Sequence, residues 1–256
     1  IRKVITDGNN GLWLATRQGL QHFDPSTGKF RCYRHDSSQP DSLARDNVDT
    51  LVRDQQGGIW LATWPGGIDY LAEGSSQFQH YVINTTKNSA LTNNVRSLFI
   101  DSQQTLWIGT EAGILRHKSD EAWEKVKVLN VVGVEKNFRV HEFIEDSTGI
   151  VWVATNIGLL RWNKSLEQFD IYTYDREKLN SLAANHIYAM LIDRSKTFWL
   201  STLNGISRVD LSLLGIEKLE FRAFQGSDSN TGNAVITLEL AETGFFWATT
   251  AKNELF

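Results

Sequence analysis

Five polar side chains recur at nearly the same step along the chain: Arg2, Asp49, Arg96, His141 and Tyr188, with Ile236 in the sixth position. The steps between them are 47, 47, 45, 47 and 48 residues. Two guanidiniums, a carboxylate, an imidazole and a phenol share hydrogen-bonding capacity and little else. A purely structural position repeated along a chain does not need such variety. Brought to one mouth, the set could recognise a small polar molecule. Trp64, in the stretch "TWPGG", adds an indole beside a proline, a flat face of the kind that stacks on sugar rings. Arg2, Asp49, Arg96, His141, Tyr188 and Trp64 are therefore the candidate ligand-binding residues, joined in the turns by Arg17, Glu111 and Asn156. The bland reading of the same residues is a ring of ion pairs between units, with Trp64 capping its neighbour.

Covalent and metal chemistry find no support in the sequence. It holds no G-x-S-x-G, no H-E-x-x-H and no P-loop. The six histidines are scattered. His22 and His117 occupy similar positions in their repeats, which argues for packing or surface, and His35 and His186 read as solvated linker residues. Cys32 is the single cysteine, so an internal disulfide and a cysteine metal cluster are both excluded. The expectation is no catalytic residue, no metal and no cofactor. A net charge of −4 without a long basic run argues against nucleic acid as a partner. No apolar run approaches the roughly 18 residues of a membrane span, so a membrane is expected only through segments outside this chain.

The elements that would position these side chains are set by an internal repeat. "GLWLAT", "GIWLAT", "TLWIGT", "IVWVAT", "TFWLST" and "FFWATT" place Trp13, Trp60, Trp107, Trp152, Trp199 and Trp247 in register. Twelve residues before each lies an aliphatic residue: Ile1, Val48, Val95, Val140, Ile187 and Val235. Six residues before lies Asp7, Asp54, Asp101, Asp146 or Asp193, replaced in the sixth unit by Ala241. Each unit reads as four short strands joined by turns, and an aromatic opens the fourth: Phe30, Phe78, Trp123, Phe169 or Phe221. Four-stranded units of about 45 residues mark a β-propeller with one blade per unit. The predicted fold is all-β, a single propeller region with blades near 1–35, 47–83, 94–130, 139–175, 186–225 and a partial 234–256. The repeat tryptophans are expected at blade interfaces. The corner aspartates would accept backbone N–H groups in Asx turns, and the glycines after the threonines would permit positive φ.

At these residues the sequence resembles the two-component regulator propeller repeat. The linkers "YRHDSSQPDSLARDNV", "YVINTTKNSALTNNV" and "YTYDREKLNSLAANHI" resemble it too, each with an S-L or S-A-L stretch before the next blade. The resemblance implies a seven-bladed propeller and the periplasmic sensor domain of a bacterial inner-membrane receptor. Its output, a histidine kinase or a diguanylate cyclase, would lie outside this chain. The implied partner is an unknown small molecule or carbohydrate, with a homodimer as a further option. The alternative function is a protein-binding or dimerisation scaffold without a small-molecule ligand. A propeller lyase or glycosidase ranks third, since fold alone does not imply function.

Topology places the candidate residues. In a propeller the linkers between blades and the turns after the second strands emerge on one face. The residue just inside each first strand lies near the mouth of the channel on that face, which gives the polar series its address. The chain starts at a first strand and ends early in a third, so it is expected to be a fragment whose ring its own ends do not close.

Overall fold

The structure, a computed structural model, describes residues 1–65, 67–81, 94–117, 123–128, 137–213, 219–224, 234–240 and 246–250. Contacts group the chain into two compact units, Ile1–Val126 and Lys127–Phe256. Secondary structure is almost wholly β; the helical element among the described residues is one 3-10 turn, Leu211–Leu213. Among the described residues no helix is long and apolar enough to cross a membrane.

The first unit holds three sheets. The first is β1 (Lys3–Thr6), β2 (Leu12–Thr16), β3 (Gly19–Asp24) and β4 (Lys29–Tyr33). The second is β5 (Val48–Arg53), β6 (Ile59–Thr63), β7 (Gly67–Leu71) and β8 (Phe78–Tyr81). The third is β9 (Val95–Ile100), β10 (Leu106–Thr110), β11 (Gly113–His117) and the short β12 (Glu124–Lys125). Each is an antiparallel meander in chain order. Strand β5 packs on β1 and β2, and β9 packs on β5 and β6, so each blade lays its first strand against its predecessor. Ala15, Leu20, Leu51 and Leu61 share one buried cluster; Ala62, Ile68, Val95 and Ile108 share the next.

The second unit opens with β13 (Lys127–Val128), followed by β14 (Val140–Glu145), β15 (Val151–Thr155), β16 (Leu159–Asn163) and β17 (Gln168–Tyr172). Next come β18 (Ile187–Ile192), β19 (Thr197–Thr202), β20 (Gly205–Asp210) and β21 (Arg222–Phe224), then the pair β22 (Val235–Leu240) and β23 (Phe246–Thr250). The four-strand expectation fails at one sheet. β13 adds to β17 in parallel and makes a sheet of five, covering backbone groups that an edge strand would otherwise leave open. Trp152, Ala154, Leu182, Ile187, Met190 and Phe198 form the buried cluster between the neighbouring blades.

The turns obey local chemistry. Thr16 donates its hydroxyl to the Gly19 carbonyl (2.8 Å) and accepts the Gln18 N–H (3.0 Å). Thr110, Thr155 and Thr202 repeat the donor bond to Gly113, Gly158 and Gly205. Gly19 has φ +106°, and a Cβ there would collide with the Tyr33 carbonyl. In the second blade, whose turn carries Trp64 and Pro65, the buried Thr63 hydroxyl has no hydrogen-bond partner among the described residues.

The linker motif also has a physical reason. The Ser42 hydroxyl accepts the Asp36 N–H and donates to the Asp36 carbonyl, closing the loop on itself. Leu43 is fully buried, and the Ala44 N–H donates to Asp69 on β7 (2.8 Å). Ser181, Leu182 and Ala183 repeat this, with the Ala183 N–H on Ser207 of β20 (2.8 Å). S-L-A is thus a clasp, a plug and an anchor. The third linker, 82–93, lies outside the described residues.

The repeat tryptophans divide. Trp107 and Trp152 are buried at 1% and 0% exposure, while Trp247 is 53% exposed, against the expectation that all lie at interfaces. The sixth repeat has alanine where the others carry the corner aspartate, so it lacks the carboxylate that holds an indole elsewhere.

Candidate functional site

The polar series owes its placement to β-bulges. In β5, Val48 pairs with Thr63 and Thr50 with Ala62, leaving Asp49 as the extra residue. The same slip leaves out Arg96 in β9, His141 in β14, Tyr188 in β18 and Ile236 in β22. A bulge frees one residue from the ladder and re-aims its side chain. In the first blade Arg2 lies one residue ahead of β1, with its N–H on the Ala15 carbonyl (2.8 Å). The sequence carried a signal for this. Val48 and Leu51 pack into one buried cluster and Ile187 and Met190 into another, yet each pair is three apart. A regular strand puts residues an even number apart on one face, so the odd step requires an inserted residue.

In the first unit Arg2, Arg17, Asn47, Asp49, Trp64, Asn94, Val95 and Arg96 line one pocket of about 490 Å³. Four of the six candidate residues are brought together there. Arg2 Nε lies 3.7 Å from Asp49 Oδ1, with the arginine side chain 44% exposed. Arg96 grips Glu111 through Nη2 at 2.5 Å and Nε at 2.6 Å. Trp64 stands 51% exposed at the rim. Its backbone N–H donates to the Asn47 carbonyl (2.9 Å), while the buried Asn47 Oδ1 has no hydrogen-bond partner among the described residues. In both pairs the arginine is exposed and its carboxylate partner part-buried, so each guanidinium keeps a face toward solvent.

The other two candidates belong to the second unit, where they surround a residue the sequence reading set aside. His186, expected as a solvated linker residue, is half-buried. Its Nε2 lies 3.0 Å from His141 Nε2, and its ring stacks on Tyr188 at 4.3 Å. Burial, followed by the charge of Arg139, holds the His186 imidazole below its ordinary value. Asn47, Asn94 and His186 all occupy the position before the first strand of a blade, where their carbonyls accept the N–H of Trp64, Glu111 and Leu203. The turn geometry fixes that position, and its side chain sits beside the bulge residue. Composition alone gave no sign of it.

The paired reading of His22 and His117 is also corrected. His22 lies opposite Trp13, whereas His117 lies opposite Leu106 and Trp107 faces Arg116. The one-residue offset puts the two histidines on opposite faces of their blades. His22 Nε2 bonds Asp7 (2.8 Å), while His117 stacks on Trp123 (4.4 Å) and meets Trp60 of the preceding blade (6.0 Å). Among the described residues no group of three or more His, Cys, Asp or Glu is arranged to hold a metal ion.

Comparison with known proteins follows the same outline. The family model described as two component regulator propeller matches residues 89–112. The histidine kinase P4 of Formosa agariphila is 26% identical over 211 residues, covering 80% of this chain and 15% of the kinase. The extracellular domain of the hybrid two component system BT3049 from B. thetaiotaomicron superimposes with a TM-score of 0.73 at 22% identity, over 98% of this chain and 32% of that one. Virginiamycin B lyase from Staphylococcus aureus gives a TM-score of 0.68 at 13% identity, over 99% and 82%. This chain thus spans well under half of the kinase and of the two component system domain. The fold is an all-β propeller fold, and residues 89–112 match the two component regulator propeller repeat.

Proposed function

We propose that this chain is the ligand-sensing part of a bacterial signal-transduction receptor, held in the periplasm, and that it binds a small molecule or carbohydrate in the pocket of its first unit. The observation that carries this reading is the convergence of Arg2, Asp49, Arg96 and Trp64 on one hollow. Guanidiniums suit carboxylate, sulfate or phosphate groups, and the exposed indole suits the face of a sugar ring. Polar side chains on bulges of a rigid β scaffold are placed without loop rearrangement. The likeness to a histidine kinase and to the extracellular part of a two component system supports a receptor context. The output, a histidine kinase or diguanylate cyclase, would be carried by other parts of the receptor. The test is a thermal-shift screen of neutral and acidic saccharides and small metabolites. Ligand at about one hundred times its Kd stabilises the native state by about 2.7 kcal/mol. A hit whose shift survives in both Arg96→Ala and Trp64→Ala refutes the site.

A second reading, a protein-binding or dimerisation scaffold, is favoured by one observation. Trp64 and Leu203 follow the repeat threonine in their turns, and both are more than half exposed, at 51% and 53%. Sedimentation of the chain, alone and as Leu203→Ser, distinguishes it: concentration-dependent self-association lost in the variant supports the scaffold.

A further inference from the structure

We propose that His141 and His186 form a two-imidazole site for a late first-row transition-metal dication, with Cu²⁺ as the strongest binder. The proposal is independent of the pocket in the first unit. The two Nε2 atoms converge to 3.0 Å, a nitrogen-to-nitrogen approach that either shares one proton or brackets a metal. With metal–nitrogen bonds of about 2.0 Å, a right-angled pair of ligands sits about 2.8 Å apart, and a tetrahedral pair about 3.3 Å. The observed separation lies between these and nearer the square arrangement of Cu²⁺ or Ni²⁺. Binding needs no net loss of a proton. The ring that donates in the apo pair moves its proton from Nε2 to Nδ1, and both Nε2 lone pairs then face the metal.

Both residues have a fixed main-chain position. His141 is the bulge residue of β14, and the His186 carbonyl accepts the Leu203 N–H at 2.9 Å. Tyr188 stacks on His186 and lies 5.7 Å from His141, walling one side. Glu142, next in sequence, is directed to the Met190 N–H (2.8 Å). The two histidines are therefore the protein ligands, and the remaining positions fall to water or to donor atoms of a small ligand. Other histidines point at oxygen: His22 at Asp7, His35 at the Leu43 carbonyl, and His80 at Asp69 and Pro40. Copper leads because divalent affinities for nitrogen sites peak at Cu²⁺.

The test titrates the full chain with CuCl₂, NiCl₂ and ZnCl₂ by calorimetry and records the Cu²⁺ electron paramagnetic resonance spectrum. The expected result is one Cu²⁺ per chain with coupling to two imidazole nitrogens. His186→Asn places the residue found at Asn47 and Asn94, so the fold has precedent for it. It should weaken Cu²⁺ at least tenfold and reduce the coupling to one nitrogen, and His141→Ala should do the same. If His141→Ala fails to fold, His186→Asn decides alone. A spectrum and affinity unchanged in His186→Asn, or no Cu²⁺ binding by the parent chain, overturns the proposal and leaves the pair as a shared-proton hydrogen bond.

Discussion

The corner between the first and second strands takes two forms. In the first two blades the aspartate serves the third strand: Asp7 Oδ2 bonds His22 (2.8 Å), and the Asp54 charge acts on the Tyr70 phenol. In the next three it serves the indole: Asp101, Asp146 and Asp193 accept the Nε1–H of Trp107, Trp152 and Trp199 at 2.8, 2.8 and 2.9 Å. The other carboxylate oxygen does the same work in both forms, accepting turn N–H groups such as those of Gly11 and Thr105. What differs is the residue four after the aspartate, Gly11 and Gly58 against Thr105, Ile150 and Thr197. A Cβ on Gly11 would overlap the Asp7 carboxylate, and one on Gly58 would overlap the Tyr70 hydroxyl. Glycine opens the path from carboxylate to third strand. A side chain there closes it, and the indole takes the oxygen. The residue facing the tryptophan follows suit, His22 and Tyr70 in one form, Arg116, Arg161 and Arg208 in the other. A repeat can thus vary its hydrogen-bond partners and keep its fold, provided the carboxylate's two oxygens stay occupied.

The contrast can be broken most severely at the indole. Trp107→Ala and Trp152→Ala should each cost about 3–5 kcal/mol in denaturant unfolding. Trp13→Ala should cost clearly less, because Trp13 is only half-buried and its corner aspartate is already engaged by His22. Equal losses would show that the two forms are energetically alike. Next is the carboxylate: Asp101→Ala strips the acceptor from two buried donors, Trp107 Nε1–H and the Thr105 N–H, at about 2–3 kcal/mol. Asp54→Ala should cost less. It should also lower the Tyr70 phenol, which burial and then Asp54 push up to about 12, as read by ultraviolet titration.

Gly58→Thr, which imports the other form's residue, should cost about 1–3 kcal/mol through collision with Tyr70. Tyr70→Arg in the same chain should recover part of that loss, completing the conversion; a double variant no better than the sum of its parts would refute the pairing. The smallest effect is expected at a pair outside the corners. Burial opposes charge on His80, but its bonds to Asp69 and the Pro40 carbonyl outweigh this and raise the imidazole above its ordinary 6.5. Its contribution is therefore fully present below 6.5 and fades as pH rises through the raised value. Melting of His80→Gln against the parent between about pH 5 and pH 9 should show the gap narrowing with alkalinity.

Much of this was legible in the chain. Trp, Thr, Gly and Asp recur at fixed offsets because each satisfies a local demand: an interface to fill, a turn to close, a positive φ, a row of N–H groups. The polar series could be read as a series, but the bulges that aim it were visible only as an odd step between Val48 and Leu51 and their counterparts. His186 was misread for a plain reason. Its neighbours in sequence are linker-like, and its burial comes from His141 and Tyr188, which lie 45 and 2 residues away. The offset between His22 and His117 was open to view: they stand 9 and 10 residues after Trp13 and Trp107, and the Thr16–Gly19 and Thr110–Gly113 turns share one register.

What the sequence by itself determined is everything governed by contacts of short range along the chain: strands, turns, the S-L-A linker clasp, and the choice between glycine and a side chain at each corner. Tertiary structure alone decided which side chains meet. Arg2, Asp49, Arg96 and Trp64 share a pocket, and His141 reaches His186, because blades stack first strand against first strand and bring residues about one repeat apart into contact. The repeat fixes the period, but the character of each meeting comes from residues at the one position per blade that the ladder leaves unpaired.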